Sequence, residues 1–304
     1  MKALISKERA KKVRDEVIGS PEQDLGERMA AELVVQINTF NGMNVSRFDK
    51  EIETLLLRQK EKEVANLDVK PDYPRDCVKF NPSGASKSNL ELWYKAKGFE
   101  PREERYPYHD RWTRNSTAVH GEVQRDLLYQ EKYLSHPYFS VVRAEDGLPA
   151  WEDNIIKWKE FEHNGQRFIL YGKMDGILRH NETGKEVGFE FKTKSNTLGQ
   201  VGNYKLKAPT DQHKAQAVAY SLLFGLDEFI FLYESVAKPQ WTAGAEAKTD
   251  IRSFYYKVND EDRKALLDKF AEVCRCVAED EQPEHEPEKC FFSPYKYLCG
   301  CDSN

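Results

Sequence analysis

The feature that most narrows the fold is a pair of runs alternating in polarity, Lys173–Arg179 and Glu186–Lys194, separated by Asn181-Glu182-Thr183-Gly184. A period of two marks strands with one buried face, and a short break rich in turn formers joins such runs as a hairpin. The hairpin brings Asp175, within Gly172-Lys173-Met174-Asp175-Gly176, beside Glu190 of Glu190-Phe191-Lys192. Strand side chains alternate faces, so Glu190 and Lys192 point the same way and Phe191 points into the core. Two carboxylates and a lysine on neighbouring strands can hold a divalent metal and a water against a phosphate.

Ile155–Glu162, Phe168–Tyr171, Phe229–Tyr233 and Ile251–Val258 read as further strands. Helices are expected over Glu22–Ile37, Ser46–Ala65 and Ser86–Lys97, then from a cap at Asn115-Ser116-Thr117 to about Leu134, and over Asp211–Phe224 and Asp260–Val277. Gly98 and Gly225 are stops, and Ser195–Pro209 is a polar loop given freedom by Gly199 and Gly202. The order predicts a mixed α/β (α+β) fold, a mixed central sheet flanked by helices behind an N-terminal helical arm. The expected division is a helical region over residues 1–75 and a main domain over residues 76–304.

Composition removes several classes of function. No run reaches about eighteen apolar residues, so no membrane span is expected. The first residues have too short an apolar core for a secretory signal, and a cytoplasmic protein is expected. Six cysteines among 304 residues do not make a disulfide scaffold. A formal net charge of -5 argues against a general nucleic-acid coat. Positive charge is nevertheless concentrated at Lys192, Lys194, Lys205, Lys207 and Lys214, with Asp211 the only acid in that stretch. There is no Gly-x4-Gly-Lys-[Ser/Thr] and so no P-loop motor. A second Glu-x-Lys, Glu246-Ala247-Lys248, has no strand pattern and no upstream partner.

His213, Gln216 and Tyr220 fall on one face of the helix after the hairpin, and His120 lies upstream in Ala118-Val119-His120-Gly121-Glu122, near the start of a helix. Together, His120, Gly172 to Asp175, Glu190 to Lys192 and Gln216 to Tyr220 resemble, in order and in element, the motifs of the PD-(D/E)XK nuclease superfamily. The likeness is to its RecB-like exonuclease branch, the type found in CRISPR adaptation and phage recombination, and covers roughly residues 78–301. It implies a restriction-endonuclease-like core and Mg²⁺ or Mn²⁺ held by His120, Asp175, Glu190 and the Phe191 backbone carbonyl. It also implies catalytic roles for Asp175, Glu190 and Lys192. Gln216 and Tyr220, with Lys194, Lys205, Lys207 and Lys214, are then expected to contact DNA, single-stranded or at duplex ends. The helices of residues 1–75 are available to dock a recombination or replication protein, to self-associate, or simply to brace the core. An endonuclease on the same core, or a non-catalytic DNA- or partner-binding module, is the alternative reading.

Many members of that branch hold an iron–sulfur cluster on four cysteines, one in the opening helix and three near the C-terminus. Here Ser88 and Ser293 stand at two of those positions. Hydroxyls bind soft iron poorly, so the cluster is not expected. A substitute set for a cluster or zinc can be drawn only from Cys77, Cys290, Cys299 and Cys301, because Cys274 and Cys276 diverge around a helix.

Overall fold

The computed structural model describes residues 25–194 and 197–301. The first three residues of the helix expected from Glu22, and the Ser195 end of the polar loop, lie outside the described residues. The chain begins with helices α1 (Leu25–Asn41) and α2 (Lys50–Ala65), then strand β1 (Val78–Phe80), α3 (Asn89–Ala96) and the long α4 (Pro107–Tyr133). Strands β2 (Phe139–Val141), β3 (Lys157–His163), β4 (Gln166–Gly172), β5 (Gly176–His180) and β6 (Glu186–Lys194) follow. Helix α5 (Asp211–Phe224), β7 (Glu228–Ser235), β8 (Ile251–Lys257) and α6 (Asp260–Ala278) complete the fold.

Two sheets form, in the orders β1-β4-β3 and β2-β5-β6-β7-β8. β5 and β6 are the expected antiparallel hairpin, with Gly176 opposite Phe189. β6 and β7 run parallel. A parallel pair needs a crossover, which α5 supplies. The architecture is the mixed α/β expected from the order of elements, and it agrees with a restriction-endonuclease-like core.

β7 explains the layering. Phe229, Phe231 and Tyr233 enter one core with α3, α5 and α6, whereas Ile230 and Leu232 enter a second with α1 and α4. A strand buried on both faces reads as a continuous apolar run, as Glu228–Ser235 does. Phe189 and Phe191 of β6 also lie in the second core. Glu190 and Lys192 therefore face the α5 side. None of the described helices is long and apolar enough to cross a membrane.

Two expectations need correction. α4 begins at Pro107 and not at Asn115; proline's fixed φ suits the first helical position, and the Tyr106 N–H donates to His109 Nδ1 at 3.3 Å. Residues 107–117 are nearly all exposed, so no apolar stripe announces that half of the helix. β1 and β2 were not anticipated: at three residues each they are too short to show a period, and pairing with β4 and β5 holds them.

Candidate metal centre and nucleic-acid interface

The β5–β6 register, carried one residue beyond Gly176, sets Asp175 opposite Glu190. Gly172 makes the approach possible on the strand before. A Cβ there would lie 2.6 Å from Pro82 Cδ, so only glycine lets β4 pass this close. Asp175 is fixed by its own backbone surroundings. Its Oδ2 accepts the Phe191 N–H at 2.8 Å, and its carbonyl accepts from Gln124 Nε2 at 2.8 Å.

His120 lies in the middle of α4, not near its start. Its Nε2 is 2.9 Å from the Phe191 carbonyl oxygen and 3.8 Å from Asp175 Oδ2. Burial lowers its pKa, against the pull of that carbonyl, which favours the neutral imidazole that metal ligation requires. Lys192 pairs with Glu190 Oε1 and donates to Gln216 Oε1 at 3.3 Å. Gln216 Nε2 donates in turn to Tyr220 Oη at 2.7 Å. The carboxylate, ammonium and amide thus form one chain of contacts from β6 to α5.

The electrostatics are those of a site short of positive charge. Burial raises the pKa of Asp175, against Lys192 and the Phe191 N–H. Burial raises Glu190 too, and the Asp175 charge adds to it. Glu190 Oε2 is buried and accepts no hydrogen bond. Burial disfavours the Lys192 charge, but Glu190 and Asp175 outweigh it and raise its pKa. Side-chain exposures of 23% for His120, 14% for Asp175 and 23% for Lys192 leave the centre open to solvent, while Glu190 at 2% forms its floor.

Glu152 is an acid that sequence reasoning missed. It sits on a short 3₁₀ turn, Glu152–Ile155, with no periodicity to draw attention to it. Its carboxylate, the His120 imidazole and the Asp175 carboxylate each offer a ligand atom within 4.8 Å of one another. Its φ of 46° is in the left-handed region that non-glycine residues avoid, and its N–H donates to the Met174 carbonyl at 2.8 Å. Such strain clusters at functional sites. Lys173 Nζ lies 3.0 Å from Glu152 Oε2. Gln124, also missed, was findable: it is one turn beyond His120 on the same helix face.

The other residues singled out are distributed as follows. Tyr220 is buried, its ring against Phe224 and Phe229, so it braces Gln216 from behind. His213 Nδ1 meets Tyr233 Oη at 2.6 Å. Lys194 Nζ lies over the Tyr233 ring, 5.6 Å from its centroid. Lys205 and Lys207 are exposed, and Lys214 pairs with Asp211 at 3.3 Å. Their loop is less free than its glycines suggest, because Val201 and Leu206 are buried in the body. Asn115, Ser116 and Thr117 are not a cap. With Trp112, Thr193 and Val236 they line a groove of about 480 Å³ that adjoins the centre, and Ser116 Oγ is 2.8 Å from Thr193 Oγ1.

The cysteines correct one expectation. Cys77 lies beside Asp76, away from the C-terminal three, whose neighbour is His285. Ser88 is the N-cap of α3, accepting the Glu91 N–H at 3.0 Å, and Ser293 Oγ accepts the Tyr295 N–H at 3.3 Å. Both hydroxyls are satisfied locally.

No protein-family model matches the chain, and no curated protein matches it. Solved structures are similar to it, among them the following three. SSO0001 is 15% identical, with 84% of this chain and 98% of that one covered and a TM-score of 0.42. The alkaline exonuclease LHK-Exo from Laribacter hongkongensis is 12% identical, with 73% and 93% covered and a TM-score of 0.42. Candida albicans Rai1, in complex with pU5-Mn²⁺, is 10% identical, with 76% and 69% covered and a TM-score of 0.26. Likenesses this distant transfer no activity to the chain, and function rests on the site.

Proposed function

We propose that this chain is a divalent-cation-dependent deoxyribonuclease, acting as an exonuclease on single strands or duplex ends. The observation that carries the reading is Glu190 Oε2, a buried carboxylate oxygen with no hydrogen-bond partner, beside the half-buried carboxylate of Asp175. A folded chain tolerates such an orphan poorly unless a ligand completes it. Nitrogen and oxygen donors suit a hard cation, and His120, Glu152 and Asp175 bring ligand atoms within 4.8 Å of one another, with Glu190 outside that group. His120 Nε2 and the Phe191 carbonyl are 2.9 Å apart, close to the roughly 3 Å between adjacent ligands of an octahedral ion with bonds of about 2.1 Å. His120, Asp175, Glu190 and the Phe191 carbonyl would hold Mg²⁺ or Mn²⁺, with Glu152 in reach. The bound cation supplies Lewis acidity toward a phosphate oxygen and lowers the pKa of a water.

The chain's own groups supply the rest. Lys192, kept charged by Glu190 and Asp175, orients the attacking water and stabilises charge on the phosphate in the transition state. Gln216, held by Tyr220, fixes the lysine's direction. Lys194, Lys205, Lys207 and Lys214 offer charge for the phosphate backbone. Trp112, 53% exposed at the adjoining groove, is suited to stacking on an unpaired base.

The test is cleavage of 5′- and 3′-labelled linear DNA and of a closed circle, in EDTA, Mg²⁺ and Mn²⁺. Cation-dependent shortening of the linear substrates with the circle intact is expected. Cutting of the circle makes the protein an endonuclease. No cleavage in either cation makes it a binding module and overturns the assignment. Asp175→Ala should abolish cleavage and leave DNA binding within a few-fold of wild type.

A further inference from the structure

Beyond α6 the chain has little regular structure. It turns back across α3 and closes on itself near Cys301. Four soft or borderline ligand atoms converge there. His285 Nε2 is 3.1 Å from Cys290 Sγ and 3.3 Å from Cys301 Sγ, and Cys299 Sγ is 3.7 Å from Cys290 Sγ. All four ligand atoms lie within 4.8 Å of one another. Cys290 is buried, and the other three lie nearer the surface.

We propose that His285, Cys290, Cys299 and Cys301 form a structural zinc site of the Cys₃His type, which locks the C-terminal segment onto the body. Zn–S bonds of about 2.3 Å and Zn–N bonds of about 2.0–2.1 Å place the ligand atoms of a tetrahedral site roughly 3.5–3.8 Å apart. The separations here are close to that. Three thiolates and one imidazole are a zinc set, not one for Mg²⁺ or Ca²⁺. A four-iron cluster keeps its ligand sulfurs at separate corners of a cube, farther apart than ligands of a single ion, so the tight grouping favours one ion.

What the ion would hold in place is also visible. Gln282 Nε2 donates to Tyr94 Oη at 2.7 Å, Tyr295 stacks on Tyr94 with centroids 5.8 Å apart, and the Arg102 N–H donates to the Pro294 carbonyl at 2.8 Å. The segment thus spans from α6 to α3 and the strand of chain after it. Closing the loop from His285 to Cys301 through one ion fixes those contacts together, because ion binding adds directly to the free energy of folding.

The experiment is metal analysis of the full chain, purified without chelator and, separately, refolded with Zn²⁺. About one zinc per chain is expected, together with the visible absorption of tetrahedral thiolate coordination after Co²⁺ substitution. Cys299→Ser and His285→Ala should each lose the zinc, whereas Cys77→Ser should keep it. Treating wild type with a strong zinc chelator should lower its melting temperature, which tests the site even where a variant fails to fold. Iron with the broad absorption of a cluster overturns the proposal. So does a metal-free protein whose cysteines form a disulfide, or one whose thiols stay free after Zn²⁺ is supplied. Loss of zinc in Cys77→Ser overturns the ligand set. Metal content is independent of cleavage, so this result and the nuclease result can fail separately.

Discussion

Asp175→Asn should make the protein more stable without a divalent cation and less stable with one. Asp175 Oδ2 accepts the Phe191 N–H at 2.8 Å, which an asparagine carbonyl can still do. Lys192 keeps its partner, Glu190. What disappears, above the raised Asp175 pKa, is one half-buried negative charge beside Glu190, whose Oε2 has no partner. A poorly satisfied buried polar group costs about 1–3 kcal/mol. Relief of about half of that is expected, or about 0.5–1.5 kcal/mol. At about 2–4 °C per kcal/mol for chains somewhat shorter than this one, the melting temperature in EDTA should rise by roughly 1–6 °C. Saturating Mn²⁺ reverses the order, because a ligand at 100 times its Kd stabilises wild type by about 2.7 kcal/mol and the variant by much less. The pH dependence has a definite sign. Above the ordinary carboxylate range the unfolded chain has released the Asp175 proton while the fold, with its raised pKa, retains it. Wild-type stability in EDTA therefore falls as pH climbs through that raised value, and the advantage of the variant should widen from pH 5 to pH 8. Thermal melts in EDTA and in Mn²⁺ across this range measure all of it. A variant less stable than wild type in EDTA refutes the crowded-carboxylate argument, and equal stabilisation of both proteins by Mn²⁺ refutes Asp175 as a ligand.

Three further outcomes are expected. Lys192→Met should slow single-turnover cleavage by about 10²–10³-fold with DNA affinity little changed, and a loss confined to binding would contradict its assigned role. The His213 imidazole, held down to about 3 by burial and the Lys192 and Lys194 charges, should show no titration between pH 5 and 8 by NMR. Because the unfolded chain takes up that proton below its ordinary pKa while the fold does not, the His213 contribution is present above about pH 6.5 and is lost as pH falls toward 3; His213→Gln should flatten this limb of the urea-midpoint profile. Gly188→Ala places a Cβ 2.3 Å from the Phe229 ring, and such overpacking should lower stability by about 1–3 kcal/mol at unchanged m-value.

How much was legible follows from which residues lie on regular elements. The β5–β6 hairpin declares itself by strict alternation, and β7 by its unbroken apolar run. α5 and α6 have polar caps, Thr210 and Asn259, whose side chains accept backbone N–H groups. Asp175, Glu190, Lys192 and Gln216 stand on or beside these elements, so pattern alone brings them together. Glu152 was out of reach because its place depends on a turn held by hydrogen bonds from Glu152 and to Ala150, not on a period. The first two turns of α4, before Asn115, are solvated all round and offer no stripe. His285 was overlooked beside the cysteines because only the folded segment brings it to them; Cys77, an equal candidate by residue type, is held elsewhere by the start of β1.

The position of the acidic residues is a consequence of aromatic packing. Phe189 and Phe191 flank Glu190 and are buried in the core with α1 and α4, opposite Ile230 and Leu232 of β7. A slip of β6 by one residue would turn both rings toward α5 and drive Glu190 and Lys192 into an apolar core. That core is built of aliphatic and aromatic side chains, so the slip is strongly opposed. Nor can the backbone at Glu190 shift away from Asp175, because β6 is hydrogen-bonded on both edges, to β5 and to β7. The repulsion between the carboxylates is therefore not relieved by local movement; it is held in place by four hydrophobic side chains that touch no substrate. A binding site built this way keeps its charge crowded until a cation or a proton arrives, and the rigidity of the sandwich, more than any one ligand, sets how strongly the site attracts either.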